Sequence, residues 1–131
     1  MSSDKELNVL LVEDNLLNQK VVKIALEQNN FKVDIANNGF EGIDLFKENK
    51  YNFILMDIMM PKMDGFEVTE KIRELEAINS GESTPIIALT ADVSSQTKKK
   101  CVSCGMDHYM TKPFNYGKLM AILKELSIVD G

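Results

Sequence analysis

The chain has 131 residues, 44% of them hydrophobic, which predicts one globular domain over residues 1–131 with a core at about residues 7–128. No apolar run is long enough to cross a bilayer and the N-terminus is polar, so we expect a cytoplasmic chain without membrane contact or signal peptide. A net charge of -5 argues against a nucleic-acid partner, which would need clustered Lys and Arg.

Five short apolar runs alternate with five helical patterns. Strands are predicted at residues 9–12, 33–36, 53–56, 86–89 and 107–110. The first and third runs are continuously apolar, as is typical of strands buried on both faces. This alternation predicts an α/β fold, a flavodoxin-like doubly wound (βα)5 arrangement with a five-stranded parallel sheet in the order 2-1-3-4-5.

Helices are predicted at about residues 15–29, 38–49, from Asp64 onward, at 93–104 and near the C-terminus. Apolar residues spaced three or four apart predict the face that each helix turns inward. These residues are Leu17, Val21, Ile24 and Gln28; Ile43 and Phe46; Val68, Ile72 and Leu75; Val93, Thr97, Cys101 and Cys104; and Leu119, Ile122, Leu123 and Leu126. The inward face of the fourth helix, at 93–104, has few large apolar groups, which predicts weak anchoring of that helix.

Cys101 and Cys104 form a C-x-x-C pair, a spacing that occurs in redox motifs and in zinc sites. A structural zinc site needs two further ligands, and His108 is the single histidine. The pair also closes a helical stretch rather than opening one after the first strand. We therefore interpret both as small core residues.

Polar residues follow four of the predicted strands. Glu13 and Asp14 follow the first, Asp57 the third, Thr90 the fourth and Lys112 the fifth. In an open parallel sheet, ligands bind at the carboxyl ends of strands where the strand order reverses, here between the first and third strands. We therefore expect these side chains to meet at one edge of the sheet.

Three carboxylates at one place repel one another unless a cation joins them. Mg²⁺ suits two or so carboxylates with waters and a phosphate oxygen. The Lys112 ammonium and the Thr90 hydroxyl suit the oxygens of a transferred phosphoryl group. Asp57 stands alone after its strand, whereas Glu13 and Asp14 act as a pair, so Asp57 is the better candidate nucleophile.

With these residues in place, the chain resembles the receiver domain of two-component response regulators, most like those of hybrid sensor histidine kinases. The resemblance runs from about residue 7 to 126 and rests on four segments in order: VEDN at 12–15, MDIMMPKMDG at 56–65, LTA at 89–91 and KPF at 112–114. It implies that Asp57 is the phosphoacceptor. It also implies Mg²⁺ bound by Glu13, Asp14, Asp57 and the backbone carbonyl of Met59.

The same resemblance implies that Thr90 and Lys112 bind the phosphoryl group and that Thr90 and Tyr109 form a conformational switch. It further implies a cis peptide bond between Lys112 and Pro113. The donor would be a phosphohistidine on a sensor histidine kinase or a histidine phosphotransfer domain. The protein would catalyse its own phosphorylation and dephosphorylation, and dimerisation is left open. Asp92 is a polar residue able to hydrogen-bond an attacking water, whereas Met59 is not.

Three alternatives remain. An aspartate-nucleophile phosphatase needs a second Asp where Met59 stands. A flavin-binding flavodoxin-like module needs a phosphate loop where the Glu13 and Asp14 carboxylates would repel phosphate. A degenerate receiver used only for protein contacts would not need the complete set of acids, Thr90 and Lys112.

Overall fold

Five parallel strands form the centre of the fold, in a computed structural model that describes residues 6–79 and 81–130. The strands are β1 (Leu7–Val12), β2 (Phe31–Ala36), β3 (Phe53–Asp57), β4 (Ile86–Thr90) and β5 (His108–Thr111). Their order is β2-β1-β3-β4-β5, and every neighbouring pair is parallel. The predicted fold class and strand order are therefore confirmed. The interpretation of the polar N-terminus rests on residues 1–5, which lie outside the described residues.

Five helices connect and follow the strands. They are α1 (Leu16–Glu27), α2 (Gly39–Glu48), α3 (Gly65–Asn79), α4 (Ser95–Cys104) and α5 (Tyr116–Glu125). The side chains of Asn15, Asn38, Ser94 and Asn115 each accept a hydrogen bond from a backbone N–H of the first turn of α1, α2, α4 and α5. Asp64 and Glu67 cap α3 reciprocally, because each carboxylate accepts the other residue's N–H at 3.0–3.1 Å. None of the described helices is long and apolar enough to cross a membrane.

The sheet carries a hydrophobic core on each face. One core joins alternate residues of β1 and β3, such as Leu10 and Ile54, to α3 and α4. The other joins the intervening residues, such as Leu11 and Leu55, to α1 and α5. All five residues of β3 are buried. A strand with both faces covered holds the residue at its end in a fixed position.

The inward face of α1 differs from the predicted one. Leu17, Val21 and Ile24 are 69%, 48% and 56% exposed, and Gln28 is exposed as well. The buried residues of α1 are Gln19, Val22 and Leu26. The helix carries two apolar stripes, so periodicity alone does not say which one packs on the sheet.

The other helices follow the predicted faces more closely. Ile43, Phe46 and Leu75 are only half-buried, whereas Val68, Ile72, Leu119, Ile122 and Leu123 are buried. Val93 is 53% exposed and precedes α4 instead of lying within it. Cys101 and Cys104 are free and buried, which confirms them as core residues.

The C-terminal end of α4 is fixed by Arg73 of α3. The guanidinium donates to the carbonyls of Gly105 and Thr84 at 2.9 Å each. It also pairs with the carboxylates of Glu76 and Asp107 at 2.7 and 2.9 Å. This group is only partly exposed, so its hydrogen bonds to charged partners contribute more than surface pairs do.

Candidate functional site

The register of the sheet places the predicted site residues side by side. Val12 of β1 pairs with Met56 of β3, so the residues that follow them, Glu13 and Asp57, are neighbours. Asp57 is level with Leu89 of β4, so Thr90 stands one residue further along. Thr90 is level with Thr111 of β5, and the Lys112 N–H donates to the Thr90 carbonyl at 2.8 Å. Four strand ends therefore meet at one edge, as the sequence predicts.

Glu13, Asp14 and Asp57 form a cluster of carboxylates. One oxygen of each lies within 4.8 Å of the others. Glu13 and Asp57 are each only 1% exposed, whereas Asp14 is exposed. The pKa of Glu13 is raised to about 7, mainly by burial and also by the nearby Asp57 carboxylate, against the opposing effects of a hydrogen bond from the Asn15 N–H and the charge of Lys112. Three ionised carboxylates without a bound cation are therefore unfavourable at this position.

Lys112 supplies the positive charge that faces this cluster. Its Nζ lies 3.1 Å from Asp57 Oδ1 and 3.7 Å from Glu13 Oε1. The Lys112–Pro113 peptide bond is cis, as the resemblance implies. One ammonium facing three acidic groups leaves the cluster short of positive charge.

The donor set fits a divalent cation that prefers oxygen. Within the described part of the chain, Glu13 Oε1 is the buried side-chain oxygen that has no hydrogen-bond partner. A buried acceptor without a partner is costly, and a metal-bound water or a cation would satisfy it. Met59 donates its backbone N–H to Asp57 Oδ1 at 3.2 Å, which keeps this backbone beside the cluster. The carbonyl of Met59 as a ligand remains a prediction.

Thr90 is buried, and its hydroxyl is engaged with Asp92. The hydroxyl accepts the Asp92 N–H at 2.9 Å and donates to the Asp92 carbonyl at 3.2 Å. The Asp92 carboxylate in turn accepts from the Ser94 N–H and the Thr97 hydroxyl. Each Asp92 carboxylate oxygen therefore accepts one hydrogen bond from the start of α4. A carboxylate oxygen can accept more than one hydrogen bond, so the role of Asp92 toward an attacking water stays a prediction.

Tyr109 and Met59 lie at the margins of the site. Tyr109 is half-buried against the core that contains α4, and Lys98 Nζ lies 5.3 Å from its ring centroid. Met59 is 72% exposed. The roles of Tyr109 and Thr90 in a switch remain predictions.

The supporting roles of two residues are missed by reasoning from the sequence. Gln19 is buried and donates to the Glu13 carbonyl at 2.6 Å and to Asn37 Oδ1 at 2.8 Å, which fixes the loop that carries the acids. Its spacing from Val22 and Leu26 on the inner stripe of α1 is the signal that would reveal it. Gly65 allows close packing, because an added Cβ would lie 2.5 Å from the Asp57 carbonyl oxygen.

A small groove borders the acids and Lys112. It has a volume of about 140 Å³ and lies between α1 and the segment after β5. Its mainly apolar wall includes Leu17, Val21, Pro113 and Phe114. The exposed stripe of α1 thus continues to the rim of the site.

Comparison with known sequences identifies the family. Residues 9–124 match the model of the response regulator receiver domain. Hybrid signal transduction histidine kinase B of Dictyostelium discoideum is 41% identical over 126 residues, and kinase I of the same organism is 45% identical over 112 residues. These alignments cover 90% and 82% of the chain but only 6% of each kinase. The chain thus spans a small part of the curated relatives that it matches.

Solved structures agree with the sequence comparison. The receiver domain of the histidine kinase CKI1 from Arabidopsis thaliana, complexed with Mg²⁺ and BeF₃⁻, superposes with a TM-score of 0.85 at 31% identity. That match covers 92% of this chain and 89% of the other. The Saccharomyces cerevisiae receiver domain of Ssk1, crystallised with the histidine phosphotransfer protein Ypd1, gives 0.84 at 32% identity, over 95% and 93% of the two chains. The chain belongs to the response regulator receiver domains of two-component phosphorelay signalling, and it is similar to those of hybrid histidine kinases.

Proposed function

We propose that Asp57 accepts a phosphoryl group from a phosphohistidine. The observation that carries this proposal is the Asp57 carboxylate, 1% exposed at the end of β3, with Lys112 Nζ 3.1 Å away and two further acids beside it. A buried carboxylate that faces both an ammonium and a cation-binding cluster suits the transfer of a charged group. The remaining alternatives, a phosphatase or a flavin-binding module, have no comparable support.

The step is an in-line displacement at phosphorus. An Asp57 carboxylate oxygen forms the new O–P bond as the P–N bond to the donor imidazole breaks, and the imidazole nitrogen keeps the electron pair. Lys112 lies where it can neutralise charge on the phosphoryl oxygens, and Thr90 provides a hydroxyl donor once it leaves Asp92. Glu13, Asp14, Asp57 and the Met59 carbonyl would hold Mg²⁺, which neutralises the phosphate when bound.

A protein donor fits the surface next to the acids. The groove with Leu17, Val21, Pro113 and Phe114 in its wall also contains Glu13 and Lys112. A partner packed on this apolar surface would bring its own side chains close to Asp57. We therefore propose a histidine phosphotransfer domain or a sensor histidine kinase as the partner. The co-crystal structure of Ssk1 with Ypd1 supports this class of partner in a similar domain.

Two broader statements belong to the same proposal. The described residues, 6–79 and 81–130, form one domain, since both of their cores share a single sheet. The chain works in the cytoplasm, which is supported by the free thiols of Cys101 and Cys104, as expected for a reducing compartment.

Small phosphodonors test the central step. The protein is incubated with Mg²⁺ and acetyl phosphate, and intact mass spectrometry measures the phosphorylated fraction. We expect one phosphoryl group on the wild type and none on Asp57→Ala. Asp44→Ala, at an exposed acid of α2, is the matched control and should be labelled like the wild type. Equal labelling of Asp57→Ala and the wild type would disprove the assignment.

The partner surface has a separate test. Leu17→Ser on α1 is compared with Val102→Ser, because Val102 is a 75% exposed apolar residue on α4. The measured quantity is the rate of transfer from a phosphorylated histidine phosphotransfer domain divided by the rate with acetyl phosphate. This ratio should fall about tenfold for Leu17→Ser, as for loss of one interface anchor. A similar fall for Val102→Ser, or none for Leu17→Ser, would argue against docking at this groove.

A further inference from the structure

Asp92 is hydrogen-bonded both to the hydroxyl of Thr90 and to the first turn of α4. Two hydrogen bonds, at 2.9 and 3.2 Å, join the hydroxyl to the backbone N–H and carbonyl of Asp92. A hydroxyl carries a single proton, so it cannot donate to the Asp92 carbonyl and to a phosphoryl oxygen at the same time. Donation from Thr90 to a phosphoryl group therefore requires its hydrogen bond to the Asp92 carbonyl to break.

The side chain of Asp92 faces the other way, toward the helix. Its Oδ1 accepts the Ser94 N–H at 2.9 Å and its Oδ2 accepts the Thr97 hydroxyl at 2.7 Å. These bonds lower the pKa of the Asp92 carboxyl, so it is ionised at neutral pH. The backbone of Asp92 thus holds Thr90, while its carboxylate holds the first turn of α4.

Apart from the Ser94 side chain, which accepts the Thr97 N–H, few contacts hold that turn. The buried residues of α4 are Cys101 and Cys104, both in its C-terminal half, and Arg73 fixes the backbone just beyond it. In the N-terminal half, Thr97 is only half-buried, and Lys98 extends over the Tyr109 ring. The position of the first turn therefore depends on polar contacts, of which those from Asp92 are the ones that lead to the site.

We propose that Asp92 is a positioning residue that couples the Thr90 hydroxyl to the first turn of α4, so that release of the hydroxyl loosens this turn. The proposal rests on the proposed function for its trigger, a phosphoryl group on Asp57. The coupling itself exists in the free protein and can be measured there.

Amide hydrogen exchange in the free protein, without Mg²⁺ or phosphodonor, is the test. Thr90→Val removes the hydroxyl at nearly constant volume and is distant in sequence from the reporting amides at residues 97–100. We expect exchange at these amides to rise about threefold, the effect of losing roughly one net hydrogen bond. Asp92→Ala should raise it by at least as much, and Asp92→Asn by less, because its amide oxygen can still accept the Ser94 N–H.

Double variants separate coupling from ordinary helix capping. Thr90→Val should add little to Asp92→Ala, because the second change removes the connection on which the first acts. It should add fully to Ser94→Ala, which deletes the cap on the Thr97 N–H but leaves both Asp92 bonds to Thr90. Unchanged exchange in Thr90→Val, or full additivity with Asp92→Ala, would overturn the proposal.

Mg²⁺ and beryllofluoride then connect the coupling to the trigger. The wild type should show faster exchange at residues 97–100 with the analogue bound, and Asp92→Ala should show a smaller change. An equal increase in both proteins counts against the proposal. If Asp57 is not phosphorylated by acetyl phosphate, the proposed function fails, whereas non-additivity in the free protein still supports the role of Asp92.

Discussion

The acids and Thr90 lie at the same edge of the sheet but are held by different kinds of interaction. Asp57 ends a strand with every residue buried between two cores. Thr90 also ends a buried strand, but its hydroxyl bonds to an exposed loop residue that leads to a weakly anchored helix. Apolar burial gives one fixed geometry, whereas a single partly buried hydrogen bond contributes little net stability and can be exchanged for another at low cost. The rigidly held carboxylates suit a reaction that needs a fixed geometry. The weakly anchored α4 side suits a conformational response to that reaction.

Truncations of buried side chains in β3 and in α4 should show the largest difference, measured as the loss in free energy of unfolding. Leu55→Ala in β3 removes a fully buried side chain and should lower the free energy of unfolding by about 3–4 kcal/mol. Cys101→Ala in α4 should cost about 1 kcal/mol, because a smaller group is lost near a more adaptable surface. Urea denaturation measures both. Equal costs would contradict the difference in anchoring.

Mg²⁺ bound at the carboxylate cluster should stabilise the protein against unfolding. At a concentration tenfold above its dissociation constant, Mg²⁺ should raise the free energy of unfolding by about 1.4 kcal/mol. Thermal denaturation with and without Mg²⁺ measures the effect, and Asp14→Asn should reduce it. Asp44→Asn, an exposed acid on α2, should retain it. A full Mg²⁺ effect in Asp14→Asn would argue against the cluster as the binding site.

The change in amide exchange on binding a phosphoryl analogue should be confined to the α4 side, at residues 90–112. Mg²⁺ with beryllofluoride should change amide exchange within residues 90–112 by about fivefold, at the low end of common coupling free energies. The amides of β3 should keep their rates within error. No change within residues 90–112 would contradict the predicted switch at Thr90 and Tyr109.

Thiol labelling should give the smallest effect. Burial raises the pKa of Cys101, and it raises that of Cys104 to about 11, so the thiolate fraction at pH 8 is low. Maleimide labelling of the native protein at pH 8 should therefore be slow, and the analogue should speed it about twofold by loosening α4. An equal labelling rate in native and urea-unfolded protein would show that the thiols are not protected.

The fold and the convergence of the candidate site residues at one edge were predictable because they depend on strong, local signals. Continuous apolar runs mark buried strands, and the polar residue that follows each run lies at the same edge of a parallel sheet. The orientation of α1 was not predictable in this way. The stripe that packs on the sheet contains Gln19, which looks polar in sequence, and its partners Glu13 and Asn37 are identified only by the fold. The bonds between Thr90 and Asp92 likewise depend on the path of an exposed loop.

Arg73 has a consequence for how α4 can move. It fixes the backbone at Gly105 and the carboxylate of Asp107 just beyond the C-terminal end of the helix. A helix fixed at its C-terminal end moves by pivoting about that end. The displacement of α4 would therefore grow with distance from Gly105 and be greatest near Ser95. The same pivot protects the buried Cys101 and Cys104, which lie close to the fixed end. A partner that recognises the phosphorylated state through α4 would therefore find the largest difference in shape at the beginning of this helix, next to the site that causes it.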